Sequence, residues 1–209
     1  MKKMSRILVI GNGETPSKNF LMHQARQADC ILATDGGANR ALACGVIPHV
    51  VLGDFDSLSA KTKKALKETS FIFVDNQNNT DLEKALRYLI KQGFTSCTLA
   101  GFWGGRADFS VGNLLALARF CPKINLRVCS PGFTIYPLIK TTRLPSKKGK
   151  RVSLIALKNC KGVSLSGLTY PLKNASVPFG STLTLSNTAD ADTFEVALKS
   201  GALLVYTEH

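Results

Sequence analysis

The sequence of 209 residues lacks the long apolar runs of a membrane protein. No stretch approaches the roughly 18 apolar residues that a membrane-spanning helix requires. The first apolar run, residues 7–10, is also shorter than the core of a signal peptide, which needs about 7 residues. With 44% hydrophobic and 20% charged residues, the composition is not that of a disordered or fibrous chain. We therefore expect a cytoplasmic protein with no membrane partner.

Cysteine and histidine are too scattered to form a metal site of the zinc type. The six cysteines stand at positions 30, 44, 97, 121, 129 and 160. No two of them have the spacing of about two to four residues that is typical of structural zinc. Most lie in apolar runs, so we expect buried thiols rather than disulfides. The three histidines also have no partner at ligand spacing.

Acidic residues are few, with 14 Asp and Glu against 27 Lys and Arg and a formal net charge of +13. A basic surface can aid solubility or attract a polyanion, either nucleic acid or a nucleotide substrate. The basic residues concentrate at 61–67 and 140–151, and neither cluster is interleaved with aromatic residues that would stack on bases. We therefore expect no nucleic-acid partner.

From residue 6 to about 130, short apolar runs alternate with amphipathic stretches of helical length. This alternation is typical of a parallel sheet with helices on both faces. The predicted strands are residues 7–10, 30–33, 50–53, 71–74, 97–100 and 126–129. The predicted helices are residues 18–27, 38–44, 60–68, 81–91 and 110–120. The fold class is therefore α/β, with an N-terminal, Rossmann-like sheet of six parallel strands and flanking helices.

Beyond residue 130 the pattern changes to short alternating runs separated by Gly, Pro, Asn and Lys. Examples are residues 152–157, 162–168, 181–185 and 202–206. This pattern predicts a C-terminal antiparallel β-sandwich. We expect two domains, an α/β catalytic and nucleotide-binding domain over residues 1–135 and the β-sandwich over residues 136–209.

Polar, turn-forming residues follow five of the predicted strands, at 11–13, 35–39, 54–57, 77–81 and 104–108. Ligands of open α/β sheets bind beyond the carboxyl ends of the strands, and parallel strands bring those ends to one edge. Half of the ten acidic residues before position 131 lie in these loops: Asp35, Asp54, Asp56, Asp81 and Asp108. Carboxylates gathered at one edge repel one another unless a cation lies among them. Because Mg²⁺ binds protein carboxylates together with substrate phosphate oxygens, the sequence predicts a Mg²⁺ site.

The neighbouring residues fit a polyphosphate. Gly36 and Gly37 precede a predicted helix, where backbone N–H groups and the helix dipole favour an anion. Gly104 and Gly105 offer similar access, and Arg106 adds a guanidinium that can hold phosphate oxygens in a bidentate manner. Together these features predict phosphoryl or nucleotidyl transfer. Taken singly, residues 11–13 can be a simple tight turn, and Asp35 or Asp81 can simply cap a helix.

Seven segments spread over nearly the whole chain carry a family resemblance. They are TDGGANRAL (34–42), GDFDSL (53–58), TDLEKAL (80–86) and GGRADFSVGNL (104–114), with weaker support from VSLIAL (152–157), GLTYPL (167–172) and LSN (185–187). In this order they resemble the thiamine pyrophosphokinase family. The resemblance implies transfer of the pyrophosphoryl group of ATP to the hydroxyl of thiamine, which gives thiamine diphosphate and AMP.

The resemblance also implies roles for the acidic residues and for the second domain. Asp54, Asp56 and Asp81 are the expected Mg²⁺ ligands, and Arg106 is expected to help stabilise charge on the phosphates. Asp108 is expected to orient or deprotonate the thiamine hydroxyl, or else to bind a metal. The β-sandwich is expected to bind thiamine and to form a homodimer with the active site between subunits.

Two further sets of residues complete the expected site. The nucleotide is expected to contact Asn12, Asp35, Gly36, Gly37, Gln77, Thr80, Gly104 and Gly105. Thiamine is expected to contact Tyr170 through its rings, and Ser186 and Asn187 through hydrogen bonds to the aminopyrimidine. Without the resemblance, a Tyr and a Ser-Asn turn are ordinary features of a β-sandwich.

The chain departs from the family pattern at two places. Family members commonly carry an acid or a Lys-Asp pair just before Thr80, where this chain has Gln77-Asn78-Asn79. They also usually have a His at the position of Phe109, which excludes here any mechanism that needs a His there. The alternatives are a related pyrophosphokinase acting on another alcohol, such as a hydroxymethyl-dihydropterin, and a non-catalytic nucleotide- or nucleic-acid-binding module.

Overall fold

We describe residues 6–14 and 16–209 in a computed structural model. The chain divides into two compact units, one made of residues up to 116 with 123–131 and the other of 117–122 with 132–209. The described residues form a mixed sheet of ten strands and an antiparallel sheet of four. The α/β class and the second, antiparallel sheet agree with the prediction. The large sheet is not the expected six-stranded parallel one, because it also contains antiparallel pairs.

Strands and helices alternate in the first part of the chain. In order they are β1 (Ile7–Ile10), α1 (Lys18–Arg26), β2 (Cys30–Thr34), α2 (Asp35–Ala43), β3 (Val50–Gly53), α3 (Ala60–Ala65), β4 (Ser70–Phe73), α4 (Asp81–Lys91), β5 (Ser96–Ala100), α5 (Ala107–Phe120) and β6 (Asn125–Ser130). The strands pair in the order β6-β5-β1-β2-β3-β4, and each of these pairs is parallel. The loops after β1 to β5 therefore lie at one edge of the sheet.

The core of the first unit explains why its strands are apolar along their length. All four residues of β1 are buried, and Leu8 and Ile10 pack with Ala33, Val51 and the α1 residue Leu21. A strand covered on both faces needs an apolar side chain at every position. No helix of the described residues is long and apolar enough to cross a membrane.

Helix α4 forms as its sequence predicts. The Thr80 hydroxyl accepts a hydrogen bond from the Glu83 N–H at 3.3 Å, and the Glu83 carboxylate accepts one from the Thr80 N–H at 3.4 Å. This reciprocal capping box satisfies two N–H groups that would otherwise have no partner in the first turn. Leu82, Leu86 and Leu89 are buried, so the helix is anchored with its N-terminus at the loop edge of the sheet.

Helix α2 begins at Asp35, three residues before its predicted start. Thr34 is the N-cap, and its hydroxyl accepts a hydrogen bond from the Gly37 N–H at 3.3 Å. Gly36 and Gly37 lie inside the first turn because a side chain would not fit there. A Cβ at Gly36 would overlap the side chain of Asn12, and one at Gly37 would overlap the carbonyl oxygen of Ile10.

The second unit contains the strands β7 (Phe133–Leu138), β8 (Thr142–Pro145), β9 (Arg151–Ala156), β10 (Cys160–Ser166), β11 (Leu172–Val177), β12 (Asn187–Thr188), β13 (Thr193–Ala197) and β14 (Leu203–Glu208). In the large sheet β12, β9, β14 and β7 pair antiparallel, while β11, β10, β13 and β8 form the second sheet. Leu154 and Val205 from one sheet share a core with Val163 and Phe194 from the other. The unit is therefore a β-sandwich.

The strand predicted at residues 181–185 is wrong, because this segment forms a turn and the strand β12 follows it. Thr184 does lie beside β9, where its carbonyl oxygen accepts a hydrogen bond from the Leu154 N–H at 2.9 Å. The Thr184 hydroxyl, rather than a backbone N–H, donates to the Leu154 carbonyl at 2.8 Å. The Thr184 hydroxyl therefore takes the place of a backbone donor in the next hydrogen bond to β9. For this reason residues 181–185 do not form a strand despite their alternating pattern.

Candidate active site

Three carboxylates meet where β2 and β3 end. One oxygen each of Asp35, Asp54 and Asp56 lies within 4.8 Å of the other two. Asp35 is the first residue of α2, whereas Asp54 and Asp56 follow β3 directly. The close approach depends on Gly53, where a Cβ would lie only 3.1 Å from the carboxyl carbon of Asp35. The predicted convergence of separate loops on one point is present for these three residues.

Asp35 is the buried member of the group, with 1% of its surface exposed. Its carboxylate accepts hydrogen bonds from the Gly36 N–H at 2.7 Å and the Ser57 N–H at 3.4 Å. Burial raises the pKa of Asp35 above its ordinary value, and the charges of Asp54 and Asp56 raise it further. A buried carboxylate beside two others is stabilised by a cation, and an all-oxygen donor set suits Mg²⁺. The residues present therefore fit a divalent metal ion.

Lys84 contacts both Asp54 and a fourth acidic residue, Asp81. The sequence analysis did not identify Lys84 as a site residue. Its ammonium lies 2.8 Å from Asp54 Oδ2 and 3.6 Å from Asp81 Oδ1, and only 4% of its side chain is exposed. The hydrogen bond from Lys84 lowers the pKa of Asp54, while burial followed by the charge of Asp35 raises the pKa of Asp81. The signal was available, since Lys84 follows Asp81 by three residues, the spacing of charge pairs on a helix.

The structure thus groups the acids differently from the sequence analysis. Asp35, expected at the nucleotide, lies with Asp54 and Asp56, whereas the expected metal ligand Asp81 is outside that group of three but near enough that, besides burial, the charge of Asp35 raises its pKa. Gln77, expected at the nucleotide, donates to Asp54 Oδ2 at 3.4 Å.

Phe55 separates the two acids after β3 and holds a conformation that is rare for a bulky residue. Its φ angle is +67°, in the left-handed region that disfavours side chains with a Cβ. Its ring packs against Phe71 and Phe73, with centroid distances of 5.8 and 5.9 Å. These ring contacts offset the backbone cost and hold the loop that carries Asp54 and Asp56.

A cavity of about 860 Å³ is lined by Ser57, which bonds to Asp35, and by Asp81. Its lining includes residues from the loops after β1, β3, β4 and β5, from α2 and from the starts of α4 and α5: Asn12, Glu14, Arg40, Ser57, Thr80, Asp81, Gly104, Gly105, Arg106 and Phe109. Five residues predicted to bind the nucleotide or its phosphates are in this set: Asn12, Thr80, Gly104, Gly105 and Arg106. The volume is in the range of small-molecule sites.

The two glycine pairs differ in what they contribute. Gly36 and Gly37 are buried, and their N–H groups already donate to Asp35 and Thr34. Their observed role is to let α2 pack closely against β1, and contact with a nucleotide stays a prediction for them. Gly104 and Gly105 line the cavity and have φ angles of +78° and +72°, which only glycine adopts without cost.

Arg106 and Asp108 form an exposed pair at the start of α5. Two hydrogen bonds of 3.2 and 2.6 Å join the guanidinium to the carboxylate, and they lower the pKa of Asp108. The guanidinium also lies 4.4 Å from the centroid of the Phe109 ring. Phe109, where the family usually has His, therefore supports Arg106 by a cation–π contact and has no titratable group.

The predicted thiamine residues lie together in the second unit. Tyr170 is 67% exposed, and Ser186 is exposed with a φ angle of +59°. Asn187 is buried, and its side-chain amide exchanges hydrogen bonds of 3.0 and 2.7 Å with the backbone of Tyr170. Asn187 thus positions Tyr170, which leaves the Tyr ring and the Ser186 hydroxyl as the exposed groups.

The carboxylates, glycine loops and arginines at the carboxyl ends of parallel strands define an enzyme that transfers phosphoryl-type groups from a nucleotide. Family models specify the class further. Residues 21–129 match the model described as thiamin pyrophosphokinase, catalytic domain, and residues 139–203 match thiamin pyrophosphokinase, vitamin B1 binding domain. The chain belongs to the thiamine pyrophosphokinase family.

Individual relatives agree with this assignment. The thiamine pyrophosphokinase of Bacillus subtilis is 26% identical over 163 residues, which cover 75% of this chain and 76% of the relative. Thiamin pyrophosphokinase 1 of Caenorhabditis elegans is 25% identical over 214 residues, covering 94% and 86%. The crystal structure of the B. subtilis protein aligns over 97% of this chain and 98% of its own, with a TM-score of 0.84 and 23% identity. That of the Candida albicans protein covers 98% and 88%, with a TM-score of 0.86 and 18% identity. These structures share the fold.

Proposed function

We propose that the protein transfers the pyrophosphoryl group of ATP to the hydroxyl of thiamine. The observation that carries this proposal is the convergence of Asp35, Asp54 and Asp56 beside a glycine-lined cavity, in a chain that matches a thiamin pyrophosphokinase catalytic domain and a vitamin B1 binding domain. The hydroxyl oxygen of thiamine forms a bond to the β-phosphorus. The bond from the β-phosphorus to the oxygen that bridges the α-phosphorus breaks, and AMP leaves with that oxygen.

The carboxylate group is proposed to hold Mg²⁺. Asp54, Asp56 and Asp81 are the ligands expected from the sequence, and the position of Asp35 adds a fourth candidate. When bound, the ion supplies positive charge to the phosphate oxygens. Lys84 keeps the Asp54 carboxylate ionised and in place, as its effect on the pKa of Asp54 indicates.

Arg106 and Asp108 are proposed to act in sequence. Phosphate oxygens compete with Asp108 for the guanidinium of Arg106, because both are anions that it can bind in a bidentate manner. Release from Arg106 removes the contact that lowers the pKa of Asp108. The freed carboxylate can then orient the thiamine hydroxyl and accept its proton.

We also propose that the two domains bind different substrates. Residues 1–135, with the six parallel strands in a Rossmann-like arrangement, are proposed to bind ATP. Residues 136–209 are proposed to bind thiamine through Tyr170, Ser186 and Asn187, in a homodimer whose active site lies between subunits. The cytoplasmic location stays a prediction. The match to a vitamin B1 binding domain does not favour a pterin alcohol as the acceptor, nor a module without catalysis.

The test measures AMP release and thiamine diphosphate formation with ATP, Mg²⁺ and either thiamine or hydroxymethyl-dihydropterin. We expect product with thiamine only, and product with the pterin alone would overturn the assignment. Asp56→Asn should lower kcat by roughly 100-fold or more, the loss typical of removing one charge-stabilising group. Its unfolding midpoint should not fall, because Asp56 is exposed and the loss of its charge relieves the repulsion of the buried Asp35.

Asp56 is a cleaner position for this test than Asp54. Removing the Asp54 charge would leave the buried Lys84 with only the longer contact to Asp81, so activity and stability would fall together. Glu68→Gln is the matched control, since Glu68 is another exposed acidic residue of the same unit. It should retain full activity.

A further inference from the structure

The two arginines that line the cavity, Arg40 and Arg106, differ in their electrostatic state. Arg106 is bound by Asp108 through two hydrogen bonds, so its charge is already compensated. Arg40 forms no ion pair with any carboxylate in residues 6–14 and 16–209. Arg40 therefore brings an uncompensated positive charge to a cavity that also contains Asp81 and Glu14.

Arg40 is held in place by a chain of contacts that starts at a glycine. The absence of a side chain at Gly36 leaves room for Asn12, which occupies the space that a Cβ would need. The Asn12 side-chain oxygen accepts a hydrogen bond from Arg40 Nε at 3.4 Å. This contact uses the nitrogen nearest the aliphatic stem. Among residues 6–14 and 16–209, no acceptor is hydrogen-bonded to the two terminal nitrogens of Arg40.

We propose that Arg40 is a phosphate-binding residue that contacts the polyphosphate chain of the nucleotide when it enters the cavity. This inference rests on the proposed function, since it assigns a new contact to the same site. A planar guanidinium with free terminal N–H groups matches two phosphate oxygens. Arg106 must first leave Asp108 before it can do the same, whereas Arg40 needs no such exchange. Arg40 therefore supplies ground-state affinity for the phosphates.

Calorimetric titration with ATP, inorganic triphosphate and adenosine, each with Mg²⁺, tests this role. Arg40→Gln should weaken ATP and triphosphate binding by about 10- to 100-fold, the usual range for one charge-assisted contact. Adenosine binding should stay within about twofold, because adenosine has no phosphate. Arg127→Gln is the matched control: Arg127 bonds the neutral Thr98 Oγ1 at 2.8 Å, forms no ion pair within residues 6–14 and 16–209, and is on β6 rather than in the cavity lining.

Two further variants separate charge from position. Arg40→Lys keeps the charge and loses the planar fork, so we expect ATP affinity between those of the wild type and Arg40→Gln. Asn12→Ala keeps Arg40 but removes the hydrogen bond that holds its Nε. The loss of ATP affinity should therefore be smaller than for Arg40→Gln. In steady-state assays Arg40→Gln should raise KM for ATP and leave KM for thiamine unchanged. Circular dichroism confirms that each variant is folded.

Failure of this inference is distinguishable from failure of the proposed function. Wild-type turnover with thiamine, together with ATP affinity in Arg40→Gln and Arg40→Lys within about twofold of wild type, would overturn the role of Arg40 and leave the function standing. Triphosphate binding that depends on Arg40, without transfer to thiamine, would support the role of Arg40 and overturn the function. Equal losses for ATP and adenosine would show a structural effect and would overturn the phosphate contact.

Discussion

The Asp35 carboxylate is buried next to two other carboxylates, a position that disfavours its charge in the absence of a cation. Burial, with the help of Asp54 and Asp56, raises its pKa above the ordinary value of 3.8. Well below pH 3.8 the group is neutral in the folded and unfolded chains alike. As the pH rises, the unfolded chain ionises first, so stability is lost up to the folded-state pKa.

This loss of stability on ionisation of Asp35 leads to a prediction about metal removal. Without divalent cations at pH 7, Asp35→Asn should be more stable than the wild type, by about 1 kcal/mol in the free energy of unfolding. The difference should shrink as the pH falls through the raised pKa of Asp35, since the Asp35 side chain then becomes neutral like that of Asn. Urea unfolding in the presence of a chelator measures it.

Adding Mg²⁺ should reverse the order of the two proteins. A ligand that binds only the folded state adds about 2.7 kcal/mol at a concentration of 100 times its Kd. The wild type should gain this stability and Asp35→Asn should gain less. An equal gain in both proteins would exclude Asp35 from the metal site.

At the scale of one element, the N-cap residue of helix α4 both stabilises the helix and forms part of the cavity wall. Thr80 closes the capping box and also lines the cavity. Thr80→Ala should lower the free energy of unfolding by about 1 kcal/mol, the usual value of an N-cap. It should also raise KM for ATP, because the cap residue is part of the cavity wall.

Thr80→Ser is the control, since it keeps the hydroxyl that caps the helix. Chemical denaturation and initial-rate measurements on both variants distinguish the two effects. If Thr80→Ala lost stability with no change in KM for ATP, Thr80 would be a structural residue only.

Local sequence predicts an element well where its signals are local. The start of α4 follows from Thr80 and Glu83, three residues apart, each of which bonds to the backbone of the other. The start of α2 does not follow from local sequence, because two consecutive glycines indicate a loop. Only the contacts with Asn12 and Ile10 in the folded chain explain why glycine is required inside this helix. The turn at 181–185 likewise depends on a partner, Leu154, that lies about thirty residues away in the sequence.

At the scale of the whole molecule, the second unit exposes apolar side chains that suit an interface. Tyr170, Phe179 and Leu183 are each more than 60% exposed, and Leu185 and Ile155 are about 40% exposed. Leu183 and Leu185 flank Thr184, which bonds to Leu154 beside Ile155. Exposed apolar groups of this kind mark association surfaces, which supports the proposed homodimer.

We predict that light scattering gives a mass twice that of the 22.5 kDa chain. Leu183→Asp should shift the protein toward the monomer and lower activity in parallel, because the active site is proposed to need both subunits. Ile47→Asp, at a position that is 63% exposed in the first unit, is the matched control and should stay dimeric. A fully active monomer would contradict a shared active site.

The sequence by itself determined the alternation of strands and helices, the polar loops at the strand ends and the family, because each depends on the type and order of residues along the chain. Tertiary structure alone decided which acids meet, since Asp35, which the sequence analysis assigned to the nucleotide, lies with Asp54 and Asp56. It also decided that Lys84 is buried between Asp54 and Asp81. Within the described residues, Arg106 forms an ion pair with Asp108 and Arg40 forms none. The physical reason is that charge compensation and burial depend on distances between segments that are far apart in the sequence. The strand order sets those distances, and no local sequence pattern specifies the strand order.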